Sequence, residues 1–340
     1  MQTHPVPPHF DAAKTSTLWR VPYQQLGAQA RQWAQTRGIA PAAEDRYRIL
    51  LLLIDMQNTF CLPDFELFVG GQSGSGAVDD TRRVCRFIYR NIESITRVAL
   101  TMDTHYALQV FHAPFLIDAQ GNNPRPMTQI STEEIESGRW KFNPAIAPSL
   151  GVTPEYGQRQ LLAYTKALKQ QGKYALTVWP YHAMLGGAGH ALVPAIEEAV
   201  FFHTICRYSQ PHIEIKGQQP FTEHYSVFGP EVSRDYAGNP LGTKNTAFFD
   251  FLLGYDAVLI AGEAKSHCVA ASVSDLLDEI RKRDETLAQK IYLLEDCTSP
   301  VVVPGVADYS DTADEAFRRF AQAGMHLVRS TEPLESWLQR

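Results

Sequence analysis

The chain has 340 residues, 44% of them hydrophobic and 20% charged, with a formal net charge of −6. That balance supports a sizeable buried core, and the length allows two domains or one enlarged α/β domain. No apolar run approaches the ~18 residues of a membrane span, no secretory leader is expected, and no long basic run marks a nucleic-acid footprint.

Residues 1–45 read as an N-terminal arm. His4-Pro5-Val6-Pro7-Pro8 excludes a regular element, because proline removes donors and fixes φ. Tyr23–Arg37 reads as a helix that Gly38 ends, packed on the main domain or on a neighbouring subunit. Arg48–Asp55 holds a continuous apolar run, which suits a strand buried on both faces. Val78–Ile95 is a predicted helix and Arg97–Asp103 a second strand. Residues 113–160 hold six prolines and little periodicity, a stretch expected to be a lid or an oligomer contact. Leu161–Gln170 reads as a helix, Lys173–Val178 as a third short apolar run, and His190–Phe202 as a helix with Pro194 in its first turn. His212–Lys216 alternates like a strand. Thr246–Leu253 (helix), Ala257–Ala261 (strand), Val269–Arg283 (helix), Lys290–Leu294 (strand), Asp311–Ala323 (helix) and His326–Val328 (strand) complete the series. Strands alternating with helices imply a three-layer α/β/α domain with a mainly parallel central sheet. Ligands of such sheets bind beyond the carboxyl ends of the strands.

Chemistry-bearing residues stand at several of those ends. Asp55 closes the first strand, as a turn cap or as a functional acid. Asp103 and His105 are two residues apart, so in extended chain they face one side and can meet a divalent metal, although such pairs also cap turns. His182 could add a third ligand or be an ordinary surface histidine; His112 is a further candidate on the same terms. Lys216 is either solvated or placed beside a thiol to lower its pKa. The five cysteines, Cys61, Cys85, Cys206, Cys268 and Cys297, are too scattered for a disulfide scaffold. A reducing, cytoplasmic compartment is expected. Cys268 precedes a predicted helix, where the macrodipole and free N–H groups favour a thiolate. Cys61 and Cys297 also follow strands and stay open on position alone.

Five segments in order resemble the isochorismatase-like cysteine hydrolase superfamily, and within it the nicotinamidases. They are Leu53-Ile54-Asp55-Met56-Gln57-Asn58-Thr59-Phe60, Thr101-Met102-Asp103-Thr104-His105, Trp179-Pro180-Tyr181-His182, Glu214-Ile215-Lys216-Gly217 and Gly262–Cys268. Tyr225-Ser226-Val227-Phe228 is similar to a further family segment. The resemblance implies an isochorismatase-like hydrolase domain over residues 46–335, with an insertion around 113–160 and residues 1–45 as an extension. It implies a catalytic triad of Asp55, Lys216 and Cys268. An oxyanion hole would come from the amides of Ala264 and Cys268, beside a cis peptide at Glu263-Ala264. Ring-binding aromatics would be Phe60 and Trp179. One divalent metal, Zn²⁺ or Fe²⁺, would sit on Asp103, His105 and His182. The implied partners are a small-molecule amide and further copies of the chain, with no nucleic acid and no membrane.

The sequence departs from the family pattern at Thr104, usually aromatic, and at Glu263, usually valine. A carboxylate at 263 would alter the oxyanion pocket or turn away into an ion pair with Lys265 or another cation. The segment Tyr106–Phe115 is longer than its family counterpart. The expected activity is hydrolysis of nicotinamide to nicotinic acid and ammonia through a thioester. The alternatives are a related amidase acting on another small amide or carbamoyl compound, and a non-catalytic ligand-binding or oligomeric member.

Overall fold

The structure is a computed structural model that describes residues 3–338. Six strands form the central sheet: β1 (Ile49–Ile54), β2 (Arg97–Asp103), β3 (His212–Lys216), β4 (Ala257–Gly262), β5 (Ile291–Leu294) and β6 (His326–Val328). Their order is β6-β5-β4-β1-β2-β3, and every neighbouring pair is parallel. β1 is central and wholly buried, which explains its uninterrupted apolar sequence. Ile49, Leu51 and Leu53 face one hydrophobic core, and Leu50, Leu52 and Ile54 face another.

The first core is closed by α1 (Tyr23–Arg37), α3 (Gly76–Arg90) and α6 (Pro194–Arg207), through Leu26, Val84, Phe87, Ile196 and Phe202 among others. The short α2 (Asn58–Cys61) follows β1. The second core is closed by α7 (Thr246–Leu253), α8 (Ala270–Arg283) and α9 (Ser310–Gln322), through Phe249, Leu276 and Phe320. The result is a three-layer α/β/α fold. α1 docks on α6 of its own chain, where the Cys206 thiol donates to the Ala30 carbonyl at 3.2 Å. Gly38 ends α1 with φ 63°, a left-handed conformation that suits glycine.

β3 alternates because only one of its faces is covered. His212 stacks on Phe248 and Phe251, whereas Ile213 on the opposite face is 53% exposed. α6 starts at Pro194 rather than His190, since proline has no N–H to give and suits the first helical position. α5 (Pro154–Gln170) begins seven residues before the predicted Leu161, where Thr153 caps it by accepting from the Tyr156 N–H.

One expectation is corrected here. The apolar run Lys173–Val178 adds no strand to the central sheet; Leu176–Thr177 pairs antiparallel with Gln129–Ile130. The stretch 113–160 is folded. It carries α4 (Thr132–Glu136), opened by a Ser131/Glu134 capping box, and a core of its own that includes Phe115, Trp140 and Phe142. Leu176, Val178 and Trp179 complete that satellite core. Among the described residues, no helix is long and apolar enough to cross a membrane.

Candidate active site

The parallel register delivers four strand ends to one place. Asp103 is opposite Lys216 across β2–β3, and Ile54 opposite Gly262 across β1–β4. Asp55 follows β1 directly, and Cys268 lies in a π-helical turn, Lys265–Val269, between β4 and α8. The chains approach closely. A Cβ on Gly262 would lie 2.1 Å from the Ile54 carbonyl oxygen, and one on Gly217 2.7 Å from Asp103 Oδ1. Both glycines also have positive φ, 119° and 94°.

Lys216 is the hub. Its Nζ lies 2.9 Å from Asp55 Oδ2, 3.0 Å from Asp103 Oδ1 and 3.5 Å from Cys268 Sγ, and donates to the His224 carbonyl at 2.9 Å. Asp55 is held from its other side by Thr101, whose hydroxyl donates to Asp55 Oδ1 and accepts from the Asp55 N–H at 3.0 Å. Lys216 thus stands between the Asp55 carboxyl and the Cys268 thiol. Burial pushes the Cys268 thiol well above its ordinary value, and the Lys216 ammonium works against that rise. Burial likewise raises the Asp55 carboxyl, again opposed by Lys216. Lys216 would be discharged by burial alone, but Asp103 and Asp55 keep it charged. The arrangement is a thiol and a carboxyl group between which a proton can pass, with a fixed ammonium beside both.

On the other side of Lys216 lies a histidine cluster. His105 Nε2 is 3.1 Å from Asp103 Oδ1, and His182 Nε2 is 3.9 Å from Asp103 Oδ2. His112 joins them: ligand atoms of His105, His112 and His182 all lie within 4.8 Å of one another. Each Nδ1 meets a backbone carbonyl, of His182, Tyr106 and Pro180 respectively. Those carbonyls suit an Nδ1–H on each ring, with Nε2 directed to the shared site. His112 Nε2 is buried with no hydrogen-bond partner. Burial pushes His112 down to about 4 and His182 well below its ordinary value, which keeps both neutral. Asp103 stays ionised, because His105 and Lys216 overcome the penalty of burial. Imidazole nitrogens converging beside a carboxylate fit a divalent cation.

Both groups open on one cavity, lined by Phe60, Trp179, Tyr225, Ala264, Cys268 and His182 among others. Phe60 meets the His182 ring edge-on at 5.7 Å. The structure thus brings together Asp55, Lys216 and Cys268, and it places Ala264, Phe60 and Trp179 beside them with Asp103, His105 and His182. Cys61, Cys85, Cys206 and Cys297 are buried away from this cavity, which removes the two that position alone left open. The Glu263-Ala264 peptide is cis. Lys265 does not pair with Glu263; it pairs with Asp314.

Sequence reasoning missed Glu223. It is fully buried at the cavity wall, where its Oε1 accepts from Trp179 Nε1 (3.0 Å) and from the Tyr225 hydroxyl (2.7 Å), and its Oε2 from the Tyr164 hydroxyl (2.9 Å). Burial raises it to about 7. The available signal was an acid two residues before the Tyr225-Ser226-Val227-Phe228 segment.

Solved structures with this arrangement of elements include a nicotinamidase/pyrazinamidase of Acinetobacter baumanii. It has a TM-score of 0.50 and 19% identity over 85% of this chain and 99% of that one. The yeast nicotinamidase Pnc1p bound to the inhibitor nicotinaldehyde gives a TM-score of 0.50 and 17% identity over 83% and 99%. The chain has the isochorismatase-like hydrolase fold. At these identities the likeness concerns fold, and chemistry must be argued from the side chains. No protein-family model and no curated protein matches the sequence.

Proposed function

We propose that this chain is a metal-assisted cysteine amidohydrolase and that its substrate is nicotinamide. The observation that carries the reading is the position of Lys216, whose single ammonium bridges Asp55, Asp103 and Cys268 at the rim of an aromatic cavity. The three groups titrate as one set. Asp55 takes the thiol proton as Sγ attacks the amide carbonyl, and Lys216 balances the charge that moves between them. The oxyanion rests on the amides of Ala264 and Cys268. Asp55 then gives its proton to the nitrogen as the C–N bond breaks, and ammonia leaves a thioester. Water hydrolyses the thioester, releasing the carboxylic acid and restoring the thiol. Phe60 and Trp179 hold the ring, with Trp179 fixed by its bond to Glu223. Asp103, His105 and His182, with His112 beside them, would hold the metal, which when bound supplies Lewis acidity and a more acidic water.

A second reading, an amidase for another small amide or carbamoyl compound, is favoured by Glu223, a buried carboxyl at the wall of the cavity. Such a group can pair with the extra N–H of a carbamoyl substrate. The deciding experiment is ammonia release from nicotinamide and a panel of small amides, with and without chelator. Release from nicotinamide that chelation abolishes supports the first reading. Release only from other amides favours the second, and no release from metal-loaded protein with an intact thiol overturns both.

A further inference from the structure

Glu263 lies next to Ala264 yet turns its side chain away from the cavity. It is 0% exposed and, with Asp80 of α3, itself 1% exposed, brackets Ser299. Asp80 also accepts from Arg83 at 2.7 Å and from the Ser299 hydroxyl. Glu263 Oε2 accepts from the Ser299 N–H at 3.2 Å, while Oε1 is buried and receives no donor. Other groups facing the pair are Cys61 of α2, itself pushed up by burial, and Cys297 after β5, while Asp296 lies beside Arg83. Arg83 is the one cation among them, and the nearby Lys265 is turned to Asp314.

Two buried carboxylates against one guanidinium leave a negative charge in low dielectric, and Glu263 Oε1 without a donor. One proton removes both penalties. The neighbourhood is also tightly built. Ser299 reaches Asp80 and Glu263 and accepts from the Lys265 N–H at 2.8 Å. A Cβ on Gly76, at the start of α3, would lie 2.5 Å from Ser299 Oγ, so only glycine leaves Ser299 this place.

We propose that Glu263 carries a proton it shares with Asp80, and that this acid pair is a positioning device for the segment 263–265. Its bearing on catalysis rests on the reading of Ala264 as an oxyanion donor. Asp80 is the ionised member, because it holds Arg83. Loss of the shared proton at alkaline pH sets two carboxylates against each other and loosens the segment that carries Ala264.

The test is infrared difference spectroscopy of the full chain at mildly alkaline pH, where Glu198 and Glu223, with pKa about 7, are ionised. The wild type should show a buried carboxylic-acid C=O band. Glu263→Gln should lose it, and so should Asp80→Asn, because Glu263 is then free to pair with Arg83 as a carboxylate. A wild type without the band, or a band that survives in Asp80→Asn, overturns the shared proton. Positioning is read by hydrogen exchange over 262–268. Exchange should speed up about tenfold in Glu263→Ala and be restored toward wild type in Glu263→Gln, whose amide still donates to Asp80. Equal exchange in the two variants overturns the positioning role. Neither readout needs turnover, so a failed amide assay counts against the functional reading alone.

Discussion

Lys216 and Asp103 are joined twice: their backbones are opposite each other in the β2–β3 register, and their side chains meet at 3.0 Å. The pairing ties the thiol side of the cavity to the histidine side. It also means that Lys216 cannot be removed quietly. In Lys216→Met, Asp55 and Asp103 lose their common cation while staying buried. Leaving buried charge uncompensated costs about 3–5 kcal/mol, and losing the charge balance for thiol attack should lower kcat by at least ~100-fold. Lys216→Arg should not rescue, because a planar fork does not replace a compact ammonium at this junction. Urea unfolding and initial rates check both statements, and unchanged stability in Lys216→Met would contradict the buried network.

Cys268 is the one cysteine that lines the cavity. Cys268→Ala should therefore lower turnover by about 10⁴-fold or more, with an unchanged unfolding curve and unchanged metal content. A small alkylating agent should label Cys268 ahead of the other four thiols, as peptide mapping would show. Inactivation that tracks labelling of Cys61 or Cys297 would move the nucleophile elsewhere.

Much of this was legible in the sequence because strands buried on both faces announce themselves. β1 is a run of six apolar residues, and the ends of β2, β3 and β6 agree with their predicted ends. Asp55, Asp103 and Lys216 could be found because a charged residue closing an apolar strand is conspicuous. The run Lys173–Val178 misled because local hydrophobicity shows that a segment is buried, not against what. Its true partners, Ile130, Trp140 and Phe142, lie in a stretch without periodicity. His112 lacked a register for a similar reason. Its place depends on long-range contacts, such as the Gln109 side chain donating to the Gly217 carbonyl at 2.6 Å. Glu223 and Asp80 were invisible for a different reason, since the partners that give them meaning are distant in the chain.

His112 offers a test with opposite signs. Its Nε2 is buried and has no hydrogen-bond partner. His112→Phe removes that unsatisfied group at similar volume, so the metal-free protein should lose no more than ~1 kcal/mol. Metal affinity should nevertheless fall at least ~10-fold, as for other groups that shape a site. Chelator competition with zinc and thermal unfolding with and without zinc read the two effects. An affinity equal to wild type would leave the metal to Asp103, His105 and His182 alone.

Glu223 should make stability depend on pH. Burial raises its carboxyl from 4.5 to about 7 in the folded chain. Between these values the folded state binds more protons than the unfolded one, so stability falls as pH rises. Its contribution is complete below about 4.5 and lost by about 7, with an upper bound of about 3 kcal/mol from the size of the shift. Glu223→Gln keeps an acceptor for Trp179 and the tyrosines but cannot ionise. The difference in unfolding free energy between wild type and Glu223→Gln should therefore move in favour of the variant across that window and level off above it. Urea titrations at several pH values measure this difference, and the subtraction removes Glu198, which burial also raises to about 7. A difference independent of pH would mean that Glu223 stays ionised, held by its three hydrogen bonds. The carboxylate would then favour a cationic or N–H-rich substrate over a neutral ring amide.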